Sequence, residues 1–197
     1  MDDSPPTFQL NGWTSIEDIL RAHGDSLRLD LGCGYYKPPG YIGLDNLSGV
    51  GIQLQNAANA PDVIVDINQH GIPFPDESCD CVRASHFLEH TSLNPILQEA
   101  HRVLKPDGDL DLILPYANSA EGMYPGHTLF FTERWFEQSP FFQSLFKITD
   151  VTYDESEAWG RLPRIVRRAI PFSFARTFLF NACWQMRLEA KAIKREH

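Results

Sequence analysis

Three things are scarce in this chain of 197 residues. The first is apolar length: no run approaches the roughly 20 residues that a bilayer-spanning helix needs, the nearest being "TFLFNACW", Thr177 to Trp184. A membrane-spanning chain is not expected. The second is basic charge, since 17 Lys and Arg stand against 26 Asp and Glu for a formal net charge of -9. Such a balance argues against a surface built to neutralise phosphates, so nucleic acid is not expected as a partner. The third is patterned cysteine: Cys33, Cys79, Cys81 and Cys183 match neither a zinc ribbon nor a C-x-x-C redox pair. Buried reduced thiols are expected instead. The opening "MDDSPPTFQL" is acidic and proline-rich and lacks the basic, apolar, small-residue order of a secretory signal. The expectation is a soluble, cytoplasmic protein.

What is present is 43% hydrophobic residues, enough for one sizeable core and short for two independent enzyme domains. One domain over residues 1–197 is expected. Leu27 to Leu31, "YIGLDNL" and "DVIVDI" are short, nearly continuous apolar runs, the pattern of strands covered on both faces of a parallel sheet. "CDCVRASHF" reads as a fourth strand. Leu93, Ile96, Leu97, Ala100, Val103 and Leu104 then recur at helical spacing until "KPDG". "LDLILP" is a fifth strand, "TERWFEQ" a short helix capped by Thr132, and "LFKITDVTY" a sixth strand. Trp184, Met186, Leu188, Ala190 and Ala192 alternate with polar residues as a half-exposed seventh. These elements predict an α/β, Rossmann-like, doubly wound and mostly parallel seven-stranded sheet with an antiparallel C-terminal strand, carrying an insertion at about 154–182 between the last two strands.

"LDLGCG" places Gly32 and Gly34 where the first strand meets its turn, so that backbone can approach a ligand. A dinucleotide fingerprint would need a third glycine where Lys37 stands. The G-x-G alone serves a structural turn as well as a ligand turn. Asp45 and Asp66, each closing an apolar run, are placed to accept hydrogen bonds from a ribose diol and an adenine amino group.

"LRLDLGCG", "YIGLD", "DVIVDI", "IPFPDESCDCVRASHFLEH" and "EAHRVLKPDGDLDLILP" resemble, in that order, the successive motifs of class I S-adenosylmethionine-dependent methyltransferases of the type 11 group. The resemblance implies that Asp30, Gly32 and Gly34 line the methionine end of the cofactor, Asp45 the ribose, and Asp66 with Ile67 the adenine. It implies Ser85 and His86 as the fourth-strand wall. One departure is the shortened first crossover: only "YYKPPG" separates Gly34 from Tyr41, where the family has a helix. Six extended residues reach about 20 Å, enough to return along a short strand. The pocket should be more open on that side, or closed by Tyr35, Tyr36 and Pro38-Pro39.

"HFLEH", His86 to His90, also reads as H-x-x-E-H, the zinc signature of inverzincin metalloproteases. Following a strand directly, His86 and His90 need not share a helical face, and a third ligand would have to come from His101 or His127. No metal is expected. In the methyltransferase reading Glu89 and His90 sit beside the transferred methyl, and His127, on the loop after the fifth strand, is a second base or acceptor-orienting group. The bland alternative, that either histidine only holds a loop, stays open.

From Arg161 to Ala182 the chain carries Arg161, Arg164, Arg167, Arg168 and Arg176 with no acidic residue, among large apolar side chains that include Ile165, Val166, Ile170, Phe172, Phe174, Phe178, Leu179 and Phe180. Three readings remain: a packing insertion, a lid over an anionic or lipid-linked acceptor with peripheral membrane contact, or a partner interface. The expected function is methyl transfer from S-adenosylmethionine to a small or glycan- or lipid-linked acceptor, at oxygen rather than nitrogen or carbon. The alternatives are a non-catalytic S-adenosylmethionine-binding regulatory protein and, more distantly, a zinc hydrolase.

Overall fold

The computed structural model describes residues 8–24, 26–48 and 60–194; the acidic, proline-rich start at residues 1–7 lies outside them. Its strands are β1 (Gln9–Leu10), β2 (Arg28–Leu31), β3 (Ile42–Asp45), β4 (Val63–Ile64), β5 (Cys79–Ser85), β6 (Leu104–Pro115), β7 (Phe146–Glu155) and β8 (Cys183–Ala192). They form one eight-stranded sheet in the order β1-β4-β3-β2-β5-β6-β8-β7. The central members β4, β3, β2, β5 and β6 run parallel, and β8 is antiparallel to both β6 and β7. The mostly parallel doubly wound sheet is as expected, with one correction to the strand count. The eighth strand, β1, is a two-residue antiparallel edge on β4, too short to show a period in the sequence.

The parallel strands are apolar almost throughout because helices and loops cover both faces. Leu29, Leu31, Leu44, Val63, Val82, Ala84, Leu110 and Leu112 are all buried. Helix α1 (Ile16–His23) starts at Ser15, whose hydroxyl accepts from the Asp18 N–H at 3.1 Å, and buries Ile16 and Ile19. Helix α2 (Ile67–His70) is a single turn, and α3 (Leu93–Val103) buries Leu93, Ile96, Leu97, Ala100 and Val103, the stripe expected from its spacing. "KPDG" does not end it as a turn, since β6 begins at Leu104 and runs through those residues with Asp107 at φ 57°. Helices α4 (Glu133–Gln138) and α5 (Pro140–Leu145) precede β7. Thr132 occupies the cap position of α4, but its side chain makes no capping hydrogen bond.

No helix lies between β2 and β3. The ten-residue link instead lies flat on the sheet. A Cβ at Gly43 would stand 2.5 Å from the Cys33 sulfur and 3.0 Å from Lys37 Cδ, so only glycine lets the link pass that close. Lys37 Nζ is held by Asp62 at 2.6 Å, and the same carboxylate accepts from the Gly43 N–H at 2.8 Å and the Trp13 indole at 3.2 Å.

Between β7 and β8 lie α6 (Glu157–Gly160), α7 (Arg164–Ala169) and α8 (Phe172–Phe178), with Pro163 and Pro171 at the starts of the last two. Arg176 anchors this segment: it pairs with Glu133 at 2.5 Å and stacks 3.9 Å above the Tyr153 ring. Trp159, Ala175 and Ala182 form a small core of their own. In β8 the alternation holds from Met186 to Ala192, but Trp184 is not part of the buried face. The pairing with β7 shifts between Asp154 and Glu155, and that irregularity turns Trp184 out to stack on His86 at 5.8 Å. All four cysteines are buried and free, as their spacing indicated. No described helix is long and apolar enough to cross a membrane.

Candidate functional site

The strand order reverses between β2 and β5, and a crevice opens at their carboxyl ends, the place where open α/β sheets bind ligands. The cavity there has a volume of about 750 Å³, within the range of about 300–1,000 Å³ usual for cofactor sites. Asp30, Gly32, Gly34, Asp45, Ser85 and His86, all expected at a cofactor site, line it, as does His90. Asp66 and Ile67 do not. The Asp66 carboxylate caps α2, accepting from Asn68 N–H at 3.0 Å and Gln69 Nε2 at 2.9 Å, while Ile67 is buried in the core. Asn68 takes their place on the wall.

The glycine turn is built from both sides. Gly32 has φ 66°, and a Cβ there would stand 2.2 Å from Phe87 Cδ2, so the turn is fitted to the aromatic ring that follows β5. Gly34, at φ 52°, donates its N–H to Asp45 Oδ2 at 2.9 Å, and the other oxygen of Asp45 accepts from the Leu47 N–H. Each carboxylate oxygen keeps a second lone pair for a ligand hydroxyl. Tyr35 and Tyr36, from the short link, also line the cavity.

Asp30 is buried, and Arg83 on the neighbouring strand donates to its Oδ1 at 2.6 Å. Burial pushes the Asp30 carboxyl up to about 6, with the Arg83 guanidinium opposing. Arg83 is a wall residue that the sequence reading passed over, although a lone arginine inside the apolar run of β5 was the available signal. Asp30 and Arg83 both line the cavity as an oppositely charged pair.

The "HFLEH" residues follow directly on the end of β5. His86, at φ 50°, leaves the strand sharply, and its Nε2 lies 2.9 Å from Gln185 Oε1, whose amide nitrogen donates to Asp154 at 2.6 Å. The proton of His86 is thereby on Nε2, and its Nδ1 faces Glu89 Oε1 at 3.6 Å. Glu89, in the 3-10 turn Leu88–His90, is fully buried, and neither carboxylate oxygen has a hydrogen-bond partner among the described residues. Burial pushes its carboxyl up to about 7.

His127 reaches the same carboxylate from the loop between β6 and α4. A bridge between Tyr116 and Phe131 closes the base of that loop, and the Thr128 and Leu129 N–H groups donate to the Glu89 carbonyl at 2.9 and 3.3 Å. His127 Nε2 thus lies 4.0 Å from Glu89 Oε1, with its side chain only 4% exposed. The His90 and His127 rings meet edge to face at 4.8 Å. His101 is elsewhere, bonded to the Ile193 carbonyl at 2.8 Å.

The family model described as a methyltransferase domain, of the type 11 group, matches residues 29–111, which hold the glycine turn, Asp45 and the "HFLEH" stretch. That stretch is similar to a type 11 methyltransferase domain. Solved structures share its fold at low identity. An S-adenosylmethionine-dependent methyltransferase from Archaeoglobus fulgidus is 20% identical with a TM-score of 0.62, over 89% of this chain and 92% of that one. The 16S rRNA (adenine(1408)-N(1))-methyltransferase W203A mutant from Catenulisporales acidiphilia is 13% identical with a TM-score of 0.58, over 96% of each chain. The [4+2]-cyclase SpnF is 18% identical with a TM-score of 0.58, over 98% of this chain and 88% of that one. No curated protein matches the sequence. Because this fold serves an RNA methyltransferase and a cyclase alike, the methyltransferase domain by itself names neither acceptor nor atom, and nucleic acid is not excluded by the architecture.

Proposed function

We propose that the protein transfers a methyl group from S-adenosylmethionine to an oxygen of a small or glycan- or lipid-linked acceptor. The observation that carries this reading is the continuity of one cavity from the glycine turn and Asp45 to His90. Its donor set fits the cofactor. Asp30 and Arg83 offer opposite charges for an α-ammonium and an α-carboxylate, and the free lone pairs of Asp45 suit a ribose diol. Asn68, rather than Asp66, is the wall group available to an adenine.

The bound cofactor would supply an electrophilic sulfonium methyl. The chain's part is to hold the acceptor oxygen in line with it and to exclude water, which is most of the work in such a displacement. A hydroxyl acceptor must also lose its proton, a step that a general base beside it assists. The Nδ1 of His90 lies 3.2 Å from the Gly126 carbonyl, so the ring donates there and keeps its lone pair on Nε2, and the residue lines the cavity. His127, tied through Nδ1 to the Gly122 carbonyl at 3.3 Å, buttresses that ring. Tyr124 completes the rim from the same loop.

Calorimetric titration with S-adenosylmethionine and S-adenosylhomocysteine tests the cofactor half of the reading. Asp45→Ala should weaken binding by about 1–3 kcal/mol through unmade charge-assisted hydrogen bonds. A folded wild-type protein that binds neither compound would sink the proposal. The second reading, a cofactor-binding protein without methyl transfer, is favoured by the likeness to a cyclase. Release of S-adenosylhomocysteine on incubation with hydroxyl-bearing acceptors separates the two.

A further inference from the structure

The buried Glu89 is the least explained group in the protein. A carboxylate with 0% exposure and no hydrogen-bond partner among the described residues is costly unless something outside the protein chain meets it. Both histidines beside it are prepared in the same way. His90 and His127 each direct Nδ1 to a backbone carbonyl, those of Gly126 and Gly122, which fixes the tautomer with the lone pair on Nε2. A ring nitrogen held by a carbonyl on its far side is the usual support of a metal-ligating histidine. One ligand atom from each of Glu89, His90 and His127 lies within 4.8 Å of the other two.

We propose that Glu89, His90 and His127 bind a divalent transition-metal ion of the zinc or ferrous class. Two imidazole nitrogens and one carboxylate oxygen make a three-ligand set that leaves a coordination position open, and they suit zinc or iron rather than magnesium. Of the three, His90 lines the cavity, whereas Glu89 and His127 do not. His86, with its Nδ1 3.6 Å from Glu89 Oε1, stands as a further nitrogen beside the carboxylate. In the sequence the "HFLEH" stretch is weak as a zinc motif because its two histidines need not share a helical face and a third ligand has to converge from His101 or His127. In the fold the third ligand comes from the loop after β6, stapled to the Glu89 carbonyl through Thr128 and Leu129. The ion site stands on these side chains alone. Only its use, to hold an oxygen of the acceptor, rests on the methyl-transfer reading.

The test uses the untagged full chain, stripped with chelator and titrated with Zn²⁺ by calorimetry and with Co²⁺ by visible absorbance. One equivalent of either ion should bind, with excess Mg²⁺ failing to compete. Glu89→Gln and His127→Gln should each weaken binding by more than the roughly 10–100-fold that loss of a supporting partner of a ligand costs. His90→Ala, at an exposed position and so compatible with folding, should do the same with an unchanged circular dichroism spectrum. Absence of binding in the wild type, or binding undiminished in folded His90→Ala, would overturn the site. Titration with S-adenosylmethionine in the same preparations keeps the two proposals apart. Zn²⁺ binding without cofactor binding leaves the ion site standing and removes the methyl-transfer reading, and the reverse result does the opposite.

Discussion

Thr128 closes on the carbonyl oxygen of Glu89 twice, with its N–H at 2.9 Å and its hydroxyl at 3.0 Å. The pair joins the 3-10 turn after β5 to the loop after β6, and it carries His127 to the buried carboxylate. Thr128→Val keeps the shape and one of the two bonds. It should lower stability in urea unfolding by about 0.5–1.5 kcal/mol, the usual net contribution of one hydrogen bond. Thr128→Ser should retain most of it, and equal stability of the two variants would show that the hydroxyl contributes nothing.

Gly32 combines a φ of 66° with the Phe87 ring at 2.2 Å from where a Cβ would lie. Gly32→Ala should therefore be destabilised by both the left-handed backbone, which costs roughly 1–2 kcal/mol, and the displaced ring. The double variant Gly32→Ala/Phe87→Ala relieves the clash and leaves the backbone cost. Adding Phe87→Ala to Gly32→Ala should thus lower stability less than adding it to the wild type. Additive losses in a double-mutant cycle would mean that the ring does not constrain the turn.

Asp30 gives a pH signature. Its folded-state carboxyl is raised to about 6 by burial, so the folded protein binds a proton that the unfolded chain, near 4, does not. Its contribution is then fully present below about 4 and lost as pH rises through about 6. Relative to Asp30→Asn, the wild type should gain stability between pH 7 and pH 5 in urea unfolding. A difference independent of pH would place the carboxyl at its ordinary value.

Of the five arginines of the insertion, Arg161 pairs with Glu157, Arg167 with Glu155 and Arg176 with Glu133. Ion pairs thus occupy three, of which only Arg176 is largely buried. Arg164 and Arg168 are exposed with no ion pair among the described residues, and Ile165 on the same helix is 77% exposed. If this face meets anionic lipid or a lipid-linked acceptor, the double change to glutamine should reduce sedimentation with anionic vesicles by roughly 1 kcal/mol per arginine. The effect should shrink with salt, whose screening length is about 8 Å at physiological strength. Equal, negligible binding of the wild type to anionic and neutral vesicles would return the segment to a packing role.

The sequence by itself determined the parts of the molecule that follow local rules. Strands covered on both faces show as unbroken apolar runs, α3 as a stripe at helical spacing, and the first turn as two glycines after a strand, because each pattern records only which face meets the core. The missing first-crossover helix was legible for the same reason, there being too few residues to form one. What only the tertiary structure decided depends on pairs distant in the chain. Asp66 caps α2 and leaves the wall to Asn68, a choice made by backbone geometry and not by residue type. Trp184 leaves the buried face of β8 because its register with β7 shifts at Glu155. Glu89 and His127 come within 4.0 Å through a loop whose path is set by hydrogen bonds to a backbone carbonyl. Such bonds carry no side-chain signature, so the order of residues offered His101 and His127 alike as a third group and only the fold chose His127.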